Sequence, residues 1–119
     1  MKQYKRSSRI SEQILRDVSE VIQKEYRGYA PTMITFTYVK VSDDLRYATI
    51  YYSALGSSDD EYRLTAEFFD REKKKIRGMI GKNLRMRHIP ELTFKFDPSV
   101  EEGIRIEKLL NEIKTDSKE

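Results

Sequence analysis

Residues Arg71–His88 hold eight Lys or Arg against one acid, Glu72, so this stretch carries +7 in a chain whose net charge is +3. The chemistry open to such a run is electrostatic. Lys73, Lys74, Lys75, Arg77, Lys82, Arg85 and Arg87 can each neutralise a phosphate, releasing condensed counterions. Arg77, Arg85 and Arg87 have planar forks suited to bidentate phosphate or base-edge contacts, while the lysines act as mobile point charges. Four more cations, Lys2, Lys5, Arg6 and Arg9, open the chain with no acid among the first nine residues. Elsewhere the balance reverses: residues 10–70 sum to −5 and residues 97–119 to −3. Segregation of this kind is the footprint of a polyanion binder, whereas a solvated helix interleaves the two signs. Not all of these cations can face one way. On a helix Lys74, Arg77 and Arg85 lie closer together than Lys75 and Arg87 do. Arg85 and Arg87 could instead be neutralised by acidic parts of the fold.

Tyr38, Tyr47 and Tyr51 offer faces on which unpaired bases can stack, or else form cross-strand packing pairs. The acid pairs Asp43/Asp44, Asp59/Asp60 and Glu101/Glu102 fall at a turn or at helix starts, where carboxylates cap. Neighbouring residues on a helix do not converge, and no nucleophile–base constellation accompanies them, so an enzyme is not expected. With no Cys and a single His, the chain offers no disulfide, thiolate or Cys-ligated zinc, and no multi-histidine metal site. No cofactor is expected. His88, ahead of Ile89-Pro90, reads as a helix-end residue. No apolar run approaches the ~20 residues of a membrane span, and the basic N-terminus lacks the apolar stretch of a signal peptide. A cytoplasmic protein is the expectation.

The elements that must position these residues follow from periodicity. At 119 residues one domain is expected: a flexible basic arm over 1–7, a folded unit over 8–114 and a frayed tail over 115–119. Ser7 or Ser8 caps a first helix whose face is Ile10, Ile14, Val18, Val21 and Ile22; it stops before Gly28. Met33–Val41 and Tyr47–Leu55 read as strands joined by Ser42–Arg46, an antiparallel hairpin. Val39, Val41, Ala48, Ile50 and Tyr52 should face the core, and Phe36, Tyr38, Tyr47 and Tyr51 the outside. Ser58–Glu61 is a capping box. The helix after it shows Leu64, Phe68 and Phe69, loses its apolar face at Glu72-Lys73, and resumes it at Ile76, Ile80 and Leu84. That gap fits two helices meeting near 72–75, or one long helix with a polar turn. His88-Ile89-Pro90 ends the run. Leu92, Phe94 and Phe96 alternate as a third strand. Ser99–Glu102 is a second capping box, opening an amphipathic helix with Ile106, Leu109, Leu110 and Ile113.

The order α-β-β-α-α-β plus a C-terminal helix resembles a type II KH domain, an α+β two-layer sandwich with helices on one face of a three-stranded sheet. The residues resemble one family: ribosome-binding factor A. The resemblance rests on Val41–Leu45 followed by Ala48, on Ile76-Arg77, on Leu84–Arg87, and above all on Pro90-Glu-Leu-Thr-Phe94. It continues through Asp97, Ser99 and Gly103 to Ile106 and Leu109-Leu110, covering roughly residues 6–113. In that family an Ala-x-Gly kink replaces the Gly-x-x-Gly loop of ordinary KH domains. By position it falls at Glu72-Lys73-Lys74, where both Ala and Gly are absent, so a shallower break is expected. Gly78-Met-Ile-Gly81 is literally Gly-x-x-Gly, but Ile76, Ile80 and Leu84 keep helical phase through it.

The resemblance implies a non-enzymatic, monomeric assembly factor that binds small-subunit rRNA in a late precursor particle and acts with other assembly proteins. It further implies support of rRNA processing and of growth in the cold. Lys73, Lys74, Lys75, Arg77, Lys82, Arg85 and Arg87, with Lys5, Arg6 and Arg9, are the candidate RNA contacts. The alternative is a generic KH-like module that binds RNA or single-stranded DNA away from the ribosome.

Overall fold

A computed structural model describes residues 6–30, 33–54 and 58–117. Its elements are α1 (Arg6–Glu25), β1 (Thr35–Val41), β2 (Tyr47–Ser53), α2 (Asp59–Gly81), β3 (Glu91–Phe96) and α3 (Ser99–Ser117). The order α-β-β-α-β-α keeps the expected succession, with the two expected middle helices joined into one. β2 is the central strand, antiparallel to β1 and parallel to β3. A parallel neighbour requires a crossover, and α2 supplies it.

The core lies between the sheet and the apolar stripes of α1 and α2. Ile14 and Val18 of α1 and Ile76 and Ile80 of α2 are fully buried against Val39, Val41, Ala48, Ile50, Tyr52 and Leu92. The five hairpin residues expected on the inner face are all there. One outer residue is not. A bulge shifts the β1 register, pairing Phe36 with Tyr52 and Tyr38 with Tyr51. The extra residue, Thr37, breaks the period-2 alternation. Phe36 therefore turns inward, 5.9 Å from the Phe69 ring and 6.2 Å from Phe94. Tyr38 stays outside, stacked on Tyr51 at 4.3 Å.

α1 starts at Arg6, so Ser7 and Ser8 lie inside its first turn instead of capping it, and Ser11 Oγ donates to the Ser7 carbonyl at 2.7 Å. At the other end the chain reverses through Gly28, whose φ of 84° is a conformation that a Cβ would strain.

α2 begins with the expected box: the Glu61 amide donates to Ser58 Oγ, and the Ser58 amide donates to Glu61 Oε1. It then runs unbroken to Gly81, so the break expected at 72–75 is absent. The polar turn is occupied from outside the helix. Tyr26, at the end of α1, is buried edge-on to Phe68 at 5.3 Å, and its hydroxyl donates to Glu72 Oε1 at 2.9 Å. Burial, reinforced by that carboxylate, pushes the phenol pKa well above its ordinary range. The helix stops at Gly81 and not at His88. Ile80's carbonyl accepts from the Asn83 and Leu84 amides as the chain turns away. Leu84 remains buried, but from outside the helix. A Cβ on Gly81 would sit 3.2 Å from Ile89 Cγ1, so glycine lets the returning chain close over the helix end.

The second capping box is replaced by a different cap. Asp97, whose amide donates to the Tyr52 carbonyl, accepts from the Ser99 amide at 3.0 Å and from Thr37 Oγ1 at 2.8 Å. Hydrogen bonds from the Ser99 hydroxyl, the Ser99 amide and Thr37 hold its carboxyl pKa below the ordinary value. The bulge residue of β1 thus ties down the exit of β3. α3 continues to Ser117, through 115–117 where fraying was expected. Its Ile106, Leu109, Leu110 and Ile113 are exposed, so this helix does not join the two that cover the sheet.

Gly78 is helical and exposed, and nothing lies within 4 Å of a Cβ built there. Gly78→Ala is expected to raise the unfolding free energy by about 0.5–1 kcal/mol in urea titrations; a loss would mean that 78–81 is not helix. Asp97→Ala should lower stability by about 0.5–2 kcal/mol at neutral pH, the scale of a lost cap. The wild-type contribution is present above the unfolded-state pKa of about 3.9 and fades as pH falls below it toward the depressed folded value. The gap between the two proteins should therefore narrow in acid, as read from melting curves between pH 7 and pH 2.5.

Candidate nucleic-acid interface

Three segments converge beyond the C-terminal half of α2. One is its basic face, the second is the chain returning through residues 82–90, and the third is the turn between β1 and β2. Together they enclose a cleft of about 670 Å³ lined by Asp44, Arg46, Tyr47, Lys73, Lys74, Arg77, His88, Ile89, Glu91 and Leu92.

Helical geometry decides which cations of α2 reach it. Successive residues turn by about 100°. Lys73 and Arg77 flank the buried stripe on one side, with Lys74 just beyond them. Lys75 lies on the other flank, roughly 160° from Arg77 by the same rotation. Lys75 is exposed but does not line the cleft.

Arg77 does not present a free guanidinium. Its Nε donates to the Pro90 carbonyl at 3.0 Å and its Nη2 to the Ile89 carbonyl. Two donors of one planar fork thereby tie the return segment to α2, immediately before β3 begins. Lys73 is half-buried and reaches Asp70 at 3.3 Å. Arg71 lies 3.6 Å from Glu72 and over the Phe68 ring. Among the described residues no carboxylate comes within ion-pair distance of Lys74, Lys75, Lys82, Arg85 or Arg87, and all five are exposed. The neutralisation weighed for Arg85 and Arg87 is not found.

The third wall is the turn between β1 and β2, followed by Tyr47, one of the three tyrosines with a face open to stacking. Ser42 Oγ and the Arg46 amide both donate to Asp44 Oδ1, at 2.6 and 3.1 Å, and these bonds hold the Asp44 pKa below its ordinary value. Leu45 adopts a φ of 63°, a conformation that costs a branched side chain roughly 1–2 kcal/mol. Packing of its side chain against the core offsets that cost. The turn so fixed delivers Arg46 and Tyr47 to the cleft. Asp44, Arg46, Tyr47, Ile89, Glu91 and Leu92 line the cleft from outside the basic run.

Arg6 and Arg9 are exposed in the first turns of α1 and do not line the cleft. Lys5 lies outside the described residues. Among the described residues no group of three or more His, Cys, Asp or Glu could hold a metal ion, and no helix is long and apolar enough to cross a membrane. What the arrangement can do is attract and hold a polyanion: a concave, basic-rimmed surface with unpaired cations continuing along residues 82–87. Its architecture implies a division of labour. Arg77→Ala should cost about 1–3 kcal/mol of stability by orphaning two carbonyls. Lys74→Ala should change stability by less than about 0.5 kcal/mol. Chemical denaturation of the two variants separates the anchoring cation from a free one.

The sequence model of the ribosome-binding factor A family matches residues 6–110 of this chain. Ribosome-binding factor A of Geobacter sulfurreducens is 45% identical over 114 residues, covering 95% of this chain and 95% of that protein. That of Geotalea daltonii is 41% identical over 110 residues, covering 92% of this chain and 89% of its own. The fold is also similar to a homology model of Thermus thermophilus ribosome-binding factor A fitted into a cryo-electron-microscopy map of a complex with the 30S subunit. That match has a TM-score of 0.60 at 21% identity, covering 74% of this chain and 91% of the other.

Proposed function

This chain belongs to the ribosome-binding factor A family, and from that premise we propose that it binds small-subunit ribosomal RNA in precursor particles and assists their late maturation. It acts by binding and not by catalysis, as a monomer working alongside other assembly factors. The observation that carries this reading is the set of exposed, carboxylate-free cations at Lys74, Lys82, Arg85 and Arg87, beside a cleft whose rim adds Arg46. The Thermus thermophilus relative's complex with the 30S subunit supports the choice of partner. A protein of this kind changes the course of assembly by binding one rRNA conformation better than another, and it can shift that equilibrium only by its difference in affinity.

The free cations should govern salt dependence. Four phosphate contacts give a log–log slope of affinity against salt of about −3. A variant with Lys74, Lys82, Arg85 and Arg87 all changed to Ala is expected to flatten that slope toward zero and to leave the small-subunit fractions of a sucrose gradient. Wild-type protein should co-migrate with free small subunits and their precursors. Absence of the wild type from every ribosomal fraction would favour a module acting on other RNA, and an unchanged slope in the variant would remove this surface from the interface.

A further inference from the structure

Two carboxylates line a cleft whose purpose, on the reading above, is to hold phosphate. Asp44 is accounted for by the Ser42 hydroxyl and the Arg46 amide. Glu91 is different. Its backbone amide donates to the Arg46 carbonyl at 2.8 Å, but among the described residues its exposed carboxylate makes no hydrogen bond or ion pair. A carboxylate left free in a phosphate groove repels the ligand unless it meets a donor. An RNA offers such donors on its ribose 2′-hydroxyls and on its bases, as the amino groups of adenine, cytosine and guanine and the ring N–H groups of guanine and uracil; an aromatic face beside the carboxylate selects the base edge.

Tyr47 stands beside it. Tyr47 and Glu91 are partners in the parallel register of β2 and β3, so their side chains leave the sheet on the same side. Of the three tyrosines on the outer face, Tyr38 and Tyr51 stack on each other. Tyr47 makes no ring contact among the described residues and is 57% exposed. An aromatic face and a free acceptor side by side, with Arg46 and Lys74 on the rim, form the combination that single-stranded RNA recognition uses: stacking, an edge-on hydrogen bond and phosphate neutralisation.

We propose that the cleft is a one-nucleotide pocket, in which a single unpaired base stacks on Tyr47 and donates its exocyclic amino group to Glu91, while Arg46 and Lys74 hold the flanking phosphates. The proposal deepens the rRNA reading and rests on it. Its consequence is selectivity. An ionised carboxylate only accepts, so cytosine or adenine is favoured over uracil, whose Watson–Crick edge carries two carbonyl oxygens and one N–H.

The test uses the full chain with fluorescent RNA hexamers, oligo-C, oligo-A and oligo-U, which carry equal numbers of phosphates. Anisotropy titrations should show oligo-C or oligo-A bound about tenfold more tightly than oligo-U. Tyr47→Ala should weaken the preferred oligomer by about tenfold, and Tyr47→Phe should restore it. Glu91→Gln, whose amide both donates and accepts, should erase the preference and strengthen oligo-U binding. Both positions are exposed, and unchanged melting curves check that the variants fold. If all three hexamers bind alike and Tyr47→Ala binds as wild type, the pocket proposal is overturned, while the rRNA reading stands as long as co-migration with small subunits persists. If the wild type neither binds any hexamer nor enters the subunit fractions, both readings fall together.

Discussion

The Arg77 guanidinium on the Ile89 and Pro90 carbonyls is the contact on which the rest of the basic region depends. The chain leaves α2 at Gly81 and must be at the first residue of β3 ten positions later, alongside Tyr47 of β2. The nine residues between, 82–90, contain no regular structure to fix their path. Three things do: Leu84 buried in the core, Ile89 closing over the bare Cα of Gly81, and the two donors of Arg77. A lysine could not replace the fork, because a point charge cannot hold two successive carbonyls in one plane. With the return segment fixed, the cleft has its second wall. Arg77 is held by backbone carbonyls, and Arg71 and Lys73 lie beside carboxylates, which leaves Lys74, Lys75, Lys82, Arg85 and Arg87 to solvent.

The electrostatics of α2 follow from the same economy of contacts. A helix with Lys73, Lys74 and Lys75 in succession repels itself, and its apolar stripe is interrupted at the same place. The fold compensates from a distance. Tyr26 brings a buried ring and a hydroxyl to Glu72, so the single acid of the basic stretch is hydrogen-bonded and half-buried. The helix continues through its polar turn because its missing apolar contact is supplied by α1. Continuity in turn sets the rotation that sends Lys73, Lys74 and Arg77 to the cleft and Lys75 to the other flank.

Much of this was legible in the sequence wherever the signal was local. The hairpin's inner face, the Ser58–Glu61 box and the alternation of β3 depend on neighbours within a few residues, and they stand where periodicity put them. What escaped was set by partners far along the chain. Tyr26 and Glu72 are 46 residues apart, and their bond turns an apparent helix break into an ordinary turn. Thr37 and Asp97 are 60 apart; the bulge that reverses Phe36 and the cap that displaces Ser99 belong to that one contact. The candidate site divides in the same way. The density of positive charge was visible as composition, but Arg77's diversion to backbone carbonyls was not. Nor was the arrival of Arg46, Tyr47 and Glu91, since they come from a turn and a strand start that only the sheet register brings to α2. Exposure of the α3 stripe was equally hidden, because amphipathicity states that a face wants cover and not that cover is present.

The proposed RNA surface is the basic side of α2 with the 82–91 return and the 44–47 turn. Ultraviolet cross-linking of the protein within purified precursor small subunits, with the linked peptides identified by mass spectrometry, tests this most directly. The account predicts RNA adducts concentrated on peptides spanning residues 44–51 and 71–91. Adducts confined to α1 and α3, with those two peptides recovered unmodified, would contradict it.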